Sequence, residues 1–147
     1  ETRRGDFIHA VLALIQYADD ALAGRLQQAI ERVRSTAGEV LDVDRIPGVL
    51  EKFFAYPAIH DWFAPRAGRT VLNEREIVAP HGRLYRIDRL VVDPKTATVI
   101  DFKTGGEQDQ YCQQVKDYMR LVADLYPEKA VQGLLAYVDL NALRWVE

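Results

Sequence analysis

Apolar positions change their period along the chain, and the change marks a helical start, a strand-rich middle and a helix-then-strand end. From Asp6 onward, Ile8, Val11, Leu12, Ile15, Ala18 and Leu22 recur every three or four residues, the spacing of an amphipathic helix. The Asp6 carboxylate suits its N-cap. The pattern runs to about Arg34, and Asp19, Asp20 and Gly24 allow a break within it. Residues 35–38 read as a turn. Pro47 suits the first turn of a short helix carrying Val49, Leu50, Phe53 and Phe54, which Tyr56-Pro57 ends. Ile59, Trp62 and Phe63 form an apolar knot before Pro65 and Gly68; we expect the aromatic residues of this region to be core rather than base-stacking platforms.

From Leu72 the period becomes two. Strands are predicted over about 72–79, 84–92 and 97–103, separated by Pro80-His81-Gly82 and by Asp93-Pro94-Lys95-Thr96 and closed by Gly105-Gly106. The spacing then predicts a helix over about 108–126, with Tyr111, Val115, Met119, Val122 and Tyr126 on one face and Pro127 as its stop. An apolar strand follows over 131–138, and residues 143–146 are placed to pair with it as a hairpin. This order predicts an α/β sandwich with extra N-terminal helices. Its mixed sheet has a three-stranded antiparallel meander, then a crossover helix leading to a parallel strand.

Composition narrows the picture. A length of 147 residues fits one domain, and 48% hydrophobic with 28% charged residues excludes disordered and low-complexity classes. No stretch approaches the roughly 18 consecutive apolar residues of a membrane span, so we expect a soluble protein with no membrane partner. The single cysteine, Cys112, excludes an internal disulfide, a four-cysteine zinc site and a cysteine-held iron–sulfur cluster, and fits a reducing cytoplasm. The chain begins without Met and almost directly with a helix, which suggests a fragment of a longer polypeptide. Net charge is −3, from 19 basic and 22 acidic residues, so no global basic field is present; between Arg66 and Lys103, eight basic residues stand against five acidic ones.

Candidate chemistry lies in the strand pair. A turn at 93–96 pairs Val92 with Ala97, and continuing that register sets Asp88 opposite Asp101 and Arg86 opposite Lys103, all on one face. Like charges opposed across strands destabilise a sheet unless something neutralises them. A hard divalent cation such as Mg²⁺ or Mn²⁺ does so, polarising a phosphate and activating a water. Lys103 points into the same site, while Phe102 turns to the opposite, core-facing side. The competing reading of Asp101 and Lys103 is a surface ion pair worth about 0–1 kcal/mol.

The residues that carry this site stand in an ordered set of motifs. They are Gly5-x-x-Ile8-His9-x-x-Leu12, Tyr85-Arg86-Ile87-Asp88-Arg89-Leu90, Val99-Ile100-Asp101-Phe102-Lys103-Thr104-Gly105 and Gln114-x-x-x-Tyr118. From about Gly5 to Tyr137 the chain resembles the RecB-like nucleases of the PD-(D/E)XK superfamily, most of all the C-terminal nuclease domain of AddA-type helicase–nucleases. The resemblance implies a restriction-endonuclease-like core and a single nuclease domain at the C-terminus of a longer helicase–nuclease. It implies Mg²⁺ or Mn²⁺ held by His9, Asp88, Asp101 and the backbone carbonyl of Phe102, with Lys103 as the catalytic lysine. Gln114 and Tyr118, an i,i+4 pair, are implied to hold the lysine and the DNA strand. Ile87 stands where the family's name has proline, and Arg86 where many members have glycine.

The activity so implied is metal-dependent hydrolysis of DNA, exonucleolytic and single-stranded, on strands unwound by a helicase of the same chain or a partner subunit, in double-strand break repair. The alternative is an inactive DNA-end-binding or scaffolding module. His60 and His81 lie outside any motif and read as non-catalytic. Glu74 and Glu76 read as surface charge, with a second-metal or orienting role as the other reading.

Overall fold

The computed structural model describes residues 2–147. Its contacts divide the chain into two compact units, Glu1–Pro65 and Arg66–Glu147. No helix among the described residues is long and apolar enough to cross a membrane.

The first unit is helical. Helix α1 spans Arg3–Ala13 and α2 Leu22–Thr36, so the long periodic stretch is two helices with a break around Asp19, whose carboxylate accepts from the Ala21 N–H at 3.0 Å. The N-cap of α1 is Thr2, not Asp6: the Thr2 hydroxyl accepts from the Gly5 N–H at 2.9 Å, and Asp6 lies in the first turn, where its charge suits the helix dipole. Phe7, Ile8, Val11 and Leu12 of α1 and Leu26, Ala29, Ile30 and Val33 of α2 are buried. Helix α3 covers Ile46–Ala55 with Pro47 in its first turn. Tyr56-Pro57 ends it as expected, but the apolar knot that follows is itself helical, α4 over Pro57–Phe63, because Pro57 also opens a helix well. Phe54 meets the rings of Phe53 and Phe63 edge to face. Those three rings are core; Trp62 is half-buried.

The second unit is a five-stranded mixed sheet with one helix. Strands β1 (Thr70–Val78), β2 (Leu84–Val92) and β3 (Thr96–Lys103) form the antiparallel meander. Helix α5 (Gln110–Leu125) crosses to β4 (Ala130–Tyr137), which runs parallel to β3, and β5 (Ala142–Val146) closes as a hairpin on β4. Spatial order equals sequence order. This is the α/β, restriction-endonuclease-like architecture expected. Helix α5 lies so close to β4 that a Cβ at Gly133 would sit 2.5 Å from Met119 Sδ and 2.7 Å from Val115 Cγ1; only glycine admits that approach.

The β2–β3 register pairs Val92 with Ala97 and continues to Arg89 with Ile100, as the turn chemistry predicted, but there the ladder ends. The pleat also slips at that level. Tyr85 and Ile87, and then Leu90 and Val92, all pack into the cluster around Val115, Tyr118 and Val122 of α5. Strict alternation would put Ile87 and Leu90, three residues apart, on opposite faces. On β1, Leu72 and Ile77 share the same cluster at an odd spacing, and between them Glu74 adopts φ 52°. The two paired strands therefore change phase together beside Asp88. The expectation that Arg86 faces Lys103 is overturned by this slip. Arg86 instead pairs with Glu76 at 3.1 Å and Glu74 at 3.6 Å.

Candidate active site

Where β2 stops pairing with β3, a side chain takes over from the main chain. Asp88 Oδ2 accepts the Phe102 N–H at 2.9 Å, a bond that a continued ladder would have given to a β2 carbonyl. That contact brings the two acids together at the point where the strands part, without the ladder pair that simple register predicts. Phe102 is buried, and its neighbours Asp101 and Lys103 share the sheet face that carries α5.

Asp101 is 3% exposed. Its carboxyl pKa is raised, first by burial and then by the charge of Asp88, against which the Lys103 ammonium works. Lys103 Nζ lies 2.9 Å from Asp101 Oδ2 as an ion pair, and this buried oxygen has no hydrogen-bond partner besides among the described residues. An acid in these surroundings is held against its own charge.

The lysine is fixed from the helix side. Its Nζ donates to Gln114 Oε1 at 2.7 Å, and Gln114 Nε2 donates to the Tyr118 hydroxyl at 3.1 Å. Both bonds fix which way round the amide sits. Gln114 and Tyr118 stand one turn apart on α5, so a single helix face presents both to the Lys103 of β3. Tyr118 is buried, its phenol pKa raised by burial and then by the Asp101 charge. It serves both the core and the polar chain, meeting the Tyr85 ring edge to face at 6.1 Å.

Sequence reasoning placed Tyr111 only on an apolar helix face. Its ring lies 4.4 Å from Lys103 Nζ, a cation–π contact. The signal was present: Tyr111, Gln114 and Tyr118 follow the i, i+3, i+7 spacing of one stripe. The left-handed backbone of Glu74 carries no such signal, since glutamate has no preference for it. In the register of β1 and β2 Glu74 falls level with Asp88, and together with Glu76 it neutralises Arg86.

His9 belongs to the first unit, on α1, and is half-buried. Its Nδ1 lies 2.8 Å from the Gly5 carbonyl, which can only accept, so in the neutral ring Nδ1 carries the proton and Nε2 is the unprotonated nitrogen. That is the tautomer of a metal-ligating imidazole. Within the second unit, no further His, Cys, Asp or Glu side chain among the described residues joins Asp88 and Asp101 to complete a group of three around a metal ion. His60 is exposed on α4, and His81 is exposed on the β1–β2 loop with its ring against Tyr85.

No curated protein matches the chain. A family model of the PD-(D/E)XK nuclease superfamily matches residues 1–145. With two acids meeting where paired strands part, and a lysine two residues beyond the second acid, the chain belongs to the PD-(D/E)XK nuclease superfamily.

Proposed function

We propose that this domain is a divalent-metal-dependent deoxyribonuclease that degrades single-stranded DNA exonucleolytically. It works in the cytoplasm as the C-terminal nuclease domain of a RecB-like, AddA-type helicase–nuclease, on strands delivered by a helicase of the same chain or a partner subunit during double-strand break repair. Superfamily members are generally metal-dependent nucleases. The helicase, the repair role and the exonucleolytic mode rest on the resemblance of the four motifs.

The observation that carries the reading is the buried Asp101 carboxyl with its raised pKa, beside Asp88 and bridged through Lys103 to Gln114. Two adjacent acids against one lysine leave negative charge for a cation, and carboxylate oxygens suit the oxygen-seeking Mg²⁺ and Mn²⁺. Asp88, Asp101 and the Phe102 carbonyl would hold the ion, with His9 as a further ligand. Such an ion, when bound, polarises the scissile phosphate and acidifies a water. Lys103 orients the attacking water and offsets charge on the phosphate, which its tethers permit: Asp101 and Gln114 engage two of the ammonium's three N–H bonds and leave one for the water. Gln114 and Tyr118 act as positioning residues for the lysine.

The test is cleavage of end-labelled single-stranded DNA by the purified protein in Mg²⁺ or Mn²⁺. Degradation that EDTA abolishes is the expected result. Chelator-resistant cleavage overturns the metal chemistry, and DNA binding without cleavage under every metal condition establishes the inactive end-binding module instead.

A further inference from the structure

Two of the four arginines on the β1–β2 hairpin, Arg83 and Arg86, have opposite electrostatic settings. Arg86 lies between Glu74 and Glu76 and is neutralised. Arg83, exposed in the turn just before β2, makes no ion pair with any carboxylate among the described residues; its guanidinium lies over the Tyr85 ring, 4.9 Å from the centroid. Tyr85 in turn meets Tyr118, whose hydroxyl accepts from Gln114, whose amide oxygen holds Lys103. A contiguous path thus runs from an un-neutralised cation on the surface to the acid pair, and the field of Arg83 already reaches the Tyr118 hydroxyl.

The backbone at Arg83 is tied into the turn that joins β1 to β2. The Ala79 N–H donates to the Arg83 carbonyl at 2.9 Å and the Gly82 N–H to the Ala79 carbonyl at 2.8 Å, with Gly82 at φ 90°. The loop is closed before the side chain projects. With its guanidinium over the Tyr85 ring, Arg83 has less side-chain freedom to lose on binding a phosphate.

We propose that Arg83, held on Tyr85, is a phosphate-binding subsite for the DNA strand: it takes a backbone phosphate of a nucleotide flanking the one at the acid pair. The proposal rests on the nuclease reading and adds to it where the strand runs, along the Arg83–Tyr85–Tyr118 side of the second unit. Contacts of this kind position the strand and read no sequence.

The experiment is fluorescence anisotropy of a labelled single-stranded oligonucleotide with the whole protein in EDTA across a salt series, for wild type, Arg83→Ala, Arg83→Lys and Arg120→Ala, followed by steady-state cleavage in Mn²⁺. Arg120→Ala removes an equal charge already paired with Asp117 on α5. Arg83→Ala should weaken binding by roughly tenfold, the effect of one lost charged contact. It should also flatten the slope of log affinity against log salt by about 0.7, the value for one phosphate on a single strand. The loss in cleavage should fall on KM, Arg83→Lys should recover most of the salt slope, and Arg120→Ala should keep the wild-type slope. An Arg83→Ala protein with wild-type affinity and slope, or an equal change in Arg120→Ala, overturns the subsite while a cleaving wild type leaves the nuclease reading standing. A wild type that neither binds nor cleaves DNA overturns both.

Discussion

Asp93 and Asp101 flank β3, one at the turn that starts it and the other near its end, and the fold treats them in opposite ways. Asp93 receives a fork from Arg69, Nε to Oδ1 at 2.8 Å and Nη2 to Oδ2 at 3.0 Å. The Arg69 side chain is 1% exposed, and its hydrogen bonds hold the Asp93 carboxyl below the usual carboxylate range despite partial burial. Lys129 adds a further anchor, donating to the Asp93 carbonyl at 2.8 Å. Asp101 is more deeply buried, faces another acid instead of an arginine, and has its pKa raised. A carboxylate that serves the fold is given a matched partner. Asp101 is given a competitor and a single tethered lysine, the arrangement of a group kept for something the protein itself does not supply.

The largest test of that contrast is Lys103→Ala. If the lysine serves the reaction rather than the fold, cleavage in single-turnover assays should fall by roughly 10²–10⁴-fold, about 3–5 kcal/mol in the barrier, while DNA binding stays measurable. A variant that cleaves at near the wild-type rate would reduce Lys103 to a mere counter-ion of Asp101. Next in size, Arg69→Ala should destabilise the protein by about 3 kcal/mol in urea unfolding, because it leaves the Asp93 carboxylate partly buried without its fork. A loss below the range of ordinary surface changes would show that the Asp93 end is no more structural than the Asp101 end.

In EDTA, stability should depend on pH with opposite signs for the two acids. For Asp93 the folded pKa is lowered, so its contribution is complete above its unfolded value and is lost as pH falls through the folded one. For Asp101 the folded pKa is raised, so the folded state binds more protons and stability falls as pH rises from its unfolded value to its folded one. Asp101→Asn should therefore gain on wild type as pH rises across that window, and Asp93→Asn should lose on it as pH rises from strongly acid values. Parallel pH profiles for the two variants would contradict the contrast.

Smaller again is the effect of His9→Ala on metal binding. The α1 residue should contribute one ligand, so its removal should weaken Mn²⁺ affinity by about tenfold, about 1.4 kcal/mol by calorimetry, without the loss of stability expected of a core truncation. Unchanged affinity would leave His9 as a histidine that merely bonds the Gly5 carbonyl.

Much of this arrangement is legible in the sequence. Period-two apolar runs marked the three meander strands to within two residues, and the turn at 93–96 carried the correct starting register. The Gln114–Tyr118 spacing foretold one helix face, and the structure adds that Gln114 bridges Lys103 to Tyr118. Alternation failed at Asp88, where it mattered most. A pleat slip needs a residue out of the extended region, and Glu74 at φ 52° gives no notice of it in its side chain, as a glycine or asparagine would. The Asp88–Phe102 bond is invisible for the same reason, since it exists only because β2 and β3 separate. In the helical unit, Pro57 stopped one helix and opened another, and no period can register a helix of seven residues.

If Asp101 is destabilised by Asp88 without a cation and relieved by one, thermal melts of wild type and Asp101→Asn will read it. In EDTA, Asp101→Asn should melt no lower than wild type, because it removes one of two adjacent like charges. In a Mg²⁺ or Mn²⁺ series the ranking should reverse. Wild type should gain RT ln(1 + [L]/Kd), about 1.4 kcal/mol when free metal is roughly ten times Kd. For a domain of this size that is about 3–6 °C in Tm, and the variant should gain much less. Equal metal-dependent shifts in the two proteins would show that Asp101 holds no ion and would contradict the account.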